Sequence, residues 1–198
     1  MKDVKRILVS GEGGQGVQTI AKVLAEAAYD SGEKALYVPN YGVEQRGGVS
    51  LGFVQISKEE IGFPKFQDAD ILVILAERAI ERVIEYITKD TVVIYDETLV
   101  SEDKLKGISS EKIAIQALKC AEETMTGRVM NMIVLGFLAN MVGGMSLDRM
   151  EKTVHERLKE KYERSPELKH FNTRALEIGM REIPKSLWIK DGKKEVSV

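Results

Sequence analysis

Ser10-Gly11-Glu12-Gly13-Gly14-Gln15-Gly16-Val17 decides the fold. It follows the apolar run Ile7-Leu8-Val9. It opens into Thr19-Ile20-Ala21-Lys22-Val23-Leu24-Ala25-Glu26-Ala27-Ala28, whose apolar residues repeat at helical spacing. A strand, a glycine turn and a helix start make an anion-facing corner. The glycines let backbone N–H groups approach a ligand, and the helix N-terminus carries partial positive charge. Gly11, Gly13 and Gly16 match the dinucleotide pattern G-x-G-x-x-G, which has little specificity by itself.

The surroundings redirect that reading. Gly11 to Gly16 also has the spacing of a nucleotide P-loop, but Val17 and Gln18 stand where Lys and Ser/Thr would hold phosphate and magnesium. Nucleotide hydrolysis is therefore not expected. A dinucleotide site also needs an acid at the end of its second strand to hold a ribose hydroxyl. The second strand candidate, Ala35–Val38, runs into Pro39-Asn40-Tyr41-Gly42, and the nearest acid beyond it is Glu44.

A second motif, Gln45-Arg46-Gly47-Gly48, lies between two strand-like runs. It suits close approach to an anion or to another backbone, and equally a tight turn with a solvated arginine. The first motif raises the interest of the second, because loops leaving the carboxyl ends of parallel strands converge.

Together the two motifs resemble the gamma subunit of 2-oxoacid:ferredoxin (or acceptor) oxidoreductases. Asn131-Met132-Ile133-Val134-Leu135-Gly136 is similar to that family's asparagine-apolar-glycine helix, and Asn172–Gly179 to its C-terminal helix. The resemblance runs from about Arg6 to Gly179. It implies a complex that converts a 2-oxoacid, coenzyme A and an oxidised acceptor to acyl-CoA, carbon dioxide and reduced acceptor. Alpha, beta and delta subunits are the implied partners, with ferredoxin or another acceptor reached through the complex. Thiamine diphosphate, magnesium and iron–sulfur clusters are implied on those partners, and coenzyme A is the one ligand offered to this chain. The cofactor-facing residues it implies are Gly11, Gly13, Gly14, Gln15, Gly16, Arg46, Gly47, Gly48 and Asn131. Asn131 either orients a loop through its amide or bonds backbone at the start of a buried helix.

Composition, with 43% hydrophobic and 30% charged residues, is ordinary for a soluble globular protein. The 198 residues suit a single domain with a sizeable core, and a net charge of −2 without a basic block disfavours nucleic acid. No apolar run reaches membrane-spanning length, and Met1–Arg6 leads into a strand rather than a signal peptide, so a cytoplasmic location is expected. Cys120 is the sole cysteine, too few thiols for an internal disulfide or an iron–sulfur cluster. It reads as a buried structural residue.

Strands are expected at Ile7–Ser10, Ala35–Val38, Val49–Ile56, Ile71–Ala76, Val92–Tyr95 and Lys112–Ile115. Val49–Ile56, with polar Ser50 and Gln55, reads as an edge or antiparallel strand. Helices are expected at Thr19–Ser31, Arg78–Thr88, Arg128–Val142, Ser146–Glu163 and Pro166–Met180. The alternation predicts an α/β fold, a doubly wound, mostly parallel, Rossmann-like sheet with C-terminal helical additions. Residues 1–183 form the domain and 184–198 a tail in which Leu187-Trp188-Ile189 suggests docking.

Catalytic chemistry is not evident. His155 and His170 lie in charged helical surroundings and read as solvated, with no metal-ligand spacing. No Gly-Asp-Gly run with a following asparagine offers a thiamine diphosphate site. Asp96-Glu97 is the acid pair best placed to meet a ligand, though a solvated helix-start role is the plainer reading. Three readings are open: a non-catalytic subunit, a stand-alone dinucleotide-dependent oxidoreductase, and a purely architectural interface domain.

Overall fold

The computed structural model describes residues 4–41 and 48–183. Six strands form one sheet: β1 (Val4–Glu12), β2 (Lys34–Tyr41), β3 (Val49–Ser57), β4 (Ile71–Ile74), β5 (Val92–Asp96) and β6 (Glu111–Ile115). Their order is β2-β3-β1-β4-β5-β6. β1, β4, β5 and β6 are parallel, while β3 is antiparallel to both β1 and β2. The mostly parallel α/β sheet is as the sequence predicts.

The reversal of β3 follows from chain length. Only residues 42–48 separate Tyr41 from Val49, far fewer than a parallel crossover needs, so β2 and β3 pair as a hairpin. The strand is not an edge, however. It lies between β2 and β1, because its polar residues find partners inside. Gln18 Nε2 on the first helix donates to Ser50 Oγ at 2.7 Å and to the Leu51 carbonyl at 2.9 Å. Gln55 Nε2 donates to the Phe63 carbonyl at 2.6 Å. Satisfied polar groups do not pay the desolvation cost that would push them to an edge.

The long helices share one face of the sheet. α1 (Val17–Asp30), the one-turn α2 (Ile80–Val83), α3 (Ala117–Thr124), α4 (Met130–Val142), α5 (Leu147–Arg164) and α6 (Glu167–Glu177) follow in order. Alternation along the strands splits the apolar residues. Ile7, Val9, Val54, Ile56, Val73 and Ile94 meet α1 and α3–α6. Leu8, Leu51, Phe53, Leu72, Ile74, Val93 and Tyr95 meet a thinner cover made by Phe66, Val83, Tyr86, Leu105 and Ile108. α4 is apolar all round because α1, α3 and α6 surround it in the core on this side of the sheet. Ser146 caps α5, its hydroxyl accepting the Arg149 N–H at 3.3 Å.

Two helix expectations are corrected. Arg78–Thr88 is not one helix but a 3₁₀ turn (Glu77–Ala79), α2, and a second 3₁₀ turn (Ile84–Tyr86). The break comes at Val83, with φ −122° and ψ −7°. Beyond it the Tyr86 carbonyl accepts the Ala69 N–H at 2.9 Å, a tertiary bond in place of a helical one. Tyr86 is thereby held edge-on to Phe53, ring centres 5.4 Å apart. The final helix becomes α6 and then a π-helical turn, Ile178–Glu182. The Leu187-Trp188-Ile189 tail lies outside the described residues.

Candidate functional site

Strand order locates the candidate site. From β1 the chain moves through α1 toward β2 on one side, and β4 lies on the other. The switch point is therefore between the carboxyl ends of β1 and β4, where ligands of open α/β sheets gather. The Gly11–Gly16 loop leaves β1 there.

The loop is tied down from three sides. Gln15 folds back over Gly11: its Oε1 accepts the Glu12 N–H at 2.6 Å, and its Nε2 donates to the Leu75 carbonyl, just beyond β4, at 2.8 Å. A Cβ on Gly11 would stand 2.5 Å from Gln15 Oε1, so glycine makes room for this amide. On the second side the Gly13 N–H donates to the Gly48 carbonyl at 3.1 Å, joining the loop to the β2–β3 connection. On the third, Asn131 packs against Gly16, where a Cβ would come 2.5 Å from Asn131 Nδ2. Gly14 and Gly16 have φ of 101° and 79°, the left-handed region glycine adopts at little cost. Gly16 then serves as the N-cap position of α1 without a side-chain cap.

What remains outward is narrow. Gly13 and Gly14 are exposed, and a Cβ at Gly14 meets nothing within 4 Å. Gly11 is buried, Gln15 is spent within the protein, and Asn131 fills space beneath the loop. Arg46 and Gly47 lie outside the described residues, whereas Gly48 is half-buried beside the loop. One rim residue was not anticipated. Arg78 follows β4 by four positions, and its guanidinium lies 3.7 Å from the Glu12 carboxylate with both side chains partly exposed. Its signal in the sequence was position alone, a cation just past a strand end.

Other sequence candidates are placed elsewhere or made structural. Asp96 is not solvated. It is wholly buried, its carboxylate accepting the Thr98 N–H at 2.9 Å and the Leu118 N–H at 2.8 Å. Glu97 is exposed and accepts from Gln116 Nε2. His155 is not simply solvated either. It is half-buried between α5 and α6, edge-on to Tyr162 and within hydrogen-bond reach of Thr173 Oγ1. Burial, and then the Lys169 charge, holds it below the usual histidine range. His170 is exposed. Cys120 is half-buried and burial pushes its thiol up, the opposite of an activated nucleophile. Among the described residues no group of three His, Cys, Asp or Glu side chains is arranged to hold a metal, and no helix is long and apolar enough to cross a membrane.

The rim can bind and orient. It presents an exposed glycine backbone, a guanidinium and a carboxylate, and among the described residues it brings no nucleophile together with a base. A groove of about 520 Å³ lies elsewhere, between α1 and α5, lined by Lys22, Glu26, Tyr29, Tyr37, Thr153 and Arg157. It does not touch the loop, whereas strand order and backbone geometry set the glycine loop at the switch point. The dinucleotide reading weakens on the same geometry. β3 separates β2 from β1, so the strand that would carry a ribose acid is displaced by one position, and it ends in Pro39-Asn40-Tyr41.

Comparison with known proteins identifies the family. The family model described as pyruvate ferredoxin/flavodoxin oxidoreductase matches residues 6–182. The 2-oxoglutarate synthase subunit KorC of Methanocaldococcus jannaschii is 39% identical over 153 residues, covering 76% of this chain and 81% of its own. The gamma subunit of a keto/oxoacid ferredoxin oxidoreductase from Geobacter sulfurreducens superposes with a TM-score of 0.73 at 28% identity, over 91% of this chain and 99% of that one. A 2-oxoglutarate:ferredoxin oxidoreductase from Magnetococcus marinus, solved with 2-oxoglutarate, coenzyme A and succinyl-CoA, shares the fold: TM-score 0.80, 22% identity, 94% of this chain and 32% of that longer one.

Proposed function

Because this chain belongs to the pyruvate ferredoxin/flavodoxin oxidoreductase family, we propose that its glycine rim is the face it turns to the partner subunits and to coenzyme A. The chain is a gamma subunit of a multi-subunit 2-oxoacid:ferredoxin oxidoreductase. Within that enzyme it supports assembly and substrate placement rather than bond-making. The observation that carries the reading is the outward Gly13–Gly14 pair at the switch point, set beside the Gly48 end of the second motif.

Arg46 stands two residues before Gly48 in the sequence. A guanidinium in this motif, together with Arg78, suits the phosphates of coenzyme A or a carboxylate of a neighbouring subunit. Coenzyme A supplies the thiol that takes up the acyl group. This chain's part is to present an open glycine edge and cations that hold the carrier. Thiamine diphosphate with magnesium, the iron–sulfur clusters and the contact with ferredoxin belong on the alpha, beta and delta subunits, and the assembly works in the cytoplasm.

The test is activity of the part against the whole. The purified chain, given a 2-oxoacid, thiamine diphosphate, magnesium, coenzyme A and a dye acceptor, is expected to reduce no dye, and adding the partner subunits is expected to start turnover. Sustained turnover by the isolated chain, with contaminating subunits excluded, would overturn the reading.

A further inference from the structure

The geometry points to Gln15 as a positioning residue that plugs the β1–β4 crevice and so fixes Gly13–Gly14 as the only open face of the loop among the described residues. The sequence placed Gln15 among the residues that meet a ligand. Its amide instead has both ends engaged inside the protein: Oε1 with the Glu12 N–H at 2.6 Å, and Nε2 with the Leu75 carbonyl at 2.8 Å. Those two partners belong to different strands' ends, since Glu12 closes β1 and Leu75 follows β4. The backbone ladder brings the same two ends together, the Leu75 N–H donating to the Ser10 carbonyl at 3.0 Å. The side chain therefore lies across the cleft in which an open α/β sheet ordinarily seats a ligand.

Gly11 fits this role. Any side chain there would occupy the place of Gln15 Oε1, with Leu75 Cβ only 3.1 Å away, so the glycine serves the plug rather than a ligand. The plug also accounts for how few loop atoms remain outward. With Gln15 turned in and the Gly13 N–H bound to Gly48, the turn has little freedom left, and recognition moves from the cleft to the rim. An anion or a partner group then meets a preorganised edge, which lowers the ordering cost of binding.

This role rests on the reading that the rim meets coenzyme A or a partner, and the test separates the two. Gln15→Ala and Gln15→Glu are made in the full chain and in the assembled enzyme, with Gly13→Val as a control on the rim itself. Two readouts are used: amide hydrogen exchange of the chain, and KM for coenzyme A against KM for the oxoacid and kcat. In Gln15→Ala the Glu12 amide is expected to exchange at least about tenfold faster while Leu8 and Val9 keep their protection. KM for coenzyme A is expected to rise about tenfold or more, within the loss of about a hundredfold that a 1 Å misplacement brings. KM for the oxoacid should stay as in the parent. Gln15→Glu keeps the acceptor for the Glu12 N–H and loses the donor to Leu75, so an intermediate effect is expected. Parent-like exchange at Glu12 in Gln15→Ala overturns the proposal. So does faster exchange with an unchanged KM for coenzyme A, which would leave a merely structural bond. If Gly13→Val raises that KM and Gln15→Ala does not, only the role of Gln15 fails. If neither variant raises it, the rim reading fails as well.

Discussion

Gly179→Ala is expected to destabilise the chain by about 3 kcal/mol or more, the upper end of what overpacking a filled core costs. A Cβ built at Gly179 would overlap the Ile133 carbonyl oxygen of α4, and one at Gly136 would overlap the Leu176 carbonyl oxygen of α6. The two glycines thus face each other where α4 crosses the end of α6, and each clears the other helix's backbone. Backbone cannot rotate away as a flexible side chain does, so relief requires moving a helix that α1 and α3 also hold in place. For a domain of this size the loss corresponds to a fall in melting temperature of roughly 6–12 °C. Gly14→Ala has open space around it and is expected to cost much less, only the strain of a left-handed residue, about 1–2 kcal/mol. Thermal melts of the two variants check the ordering. A Gly179→Ala melt within 2–3 °C of the parent, about 1 kcal/mol, would show that the crossing has slack.

Arg46→Ala is expected to act on the complex and not on the fold. Truncating one member of a charged, hydrogen-bonded pair in an interface costs about 2 kcal/mol or more, roughly thirtyfold in affinity. A surface truncation in the isolated chain stays within about 0.5 kcal/mol. The loss should therefore appear in subunit association or in KM for coenzyme A, with the melting temperature of the free chain nearly unchanged. Arg46→Lys should recover part of it, because an ammonium keeps the charge and loses the two-pronged contact. An alanine variant that assembles and turns over like the parent removes Arg46 from the rim.

Much of this was legible in the sequence because local chemistry was strong there. Ile7-Leu8-Val9 and the four-residue run of β4 are continuous apolar stretches, and such strands lie buried on both faces. Gly16 marked a helix start, and it sits in the left-handed region at the head of α1. The place of β3 was harder to see. Ser50 and Gln55 suggested an edge, and only the partners supplied by Gln18 and Phe63 make them interior residues. The reversal, by contrast, was implicit in the short 42–48 connection. Asp96 misled for the same reason as Ser50. A carboxylate reads as solvated until the backbone N–H groups that bind it, here from Thr98 and Leu118, are known. Gln15 shows the limit of motif reading: the glycines frame a loop, but which way the Gln15 side chain turns is decided by a carbonyl sixty residues away on β4's side.

The central claim is that the edge carrying Gly13, Gly14 and Gly48 is buried when the enzyme assembles. Hydrogen exchange compares the free chain with the same chain in the reconstituted complex, with and without coenzyme A. The account predicts that peptides covering residues 12–16 and 42–48 gain protection on assembly, and gain more when coenzyme A is added, while peptides from the exposed face of α5 do not change. Unchanged exchange in both rim segments, with protection appearing on another face of the domain, would contradict it.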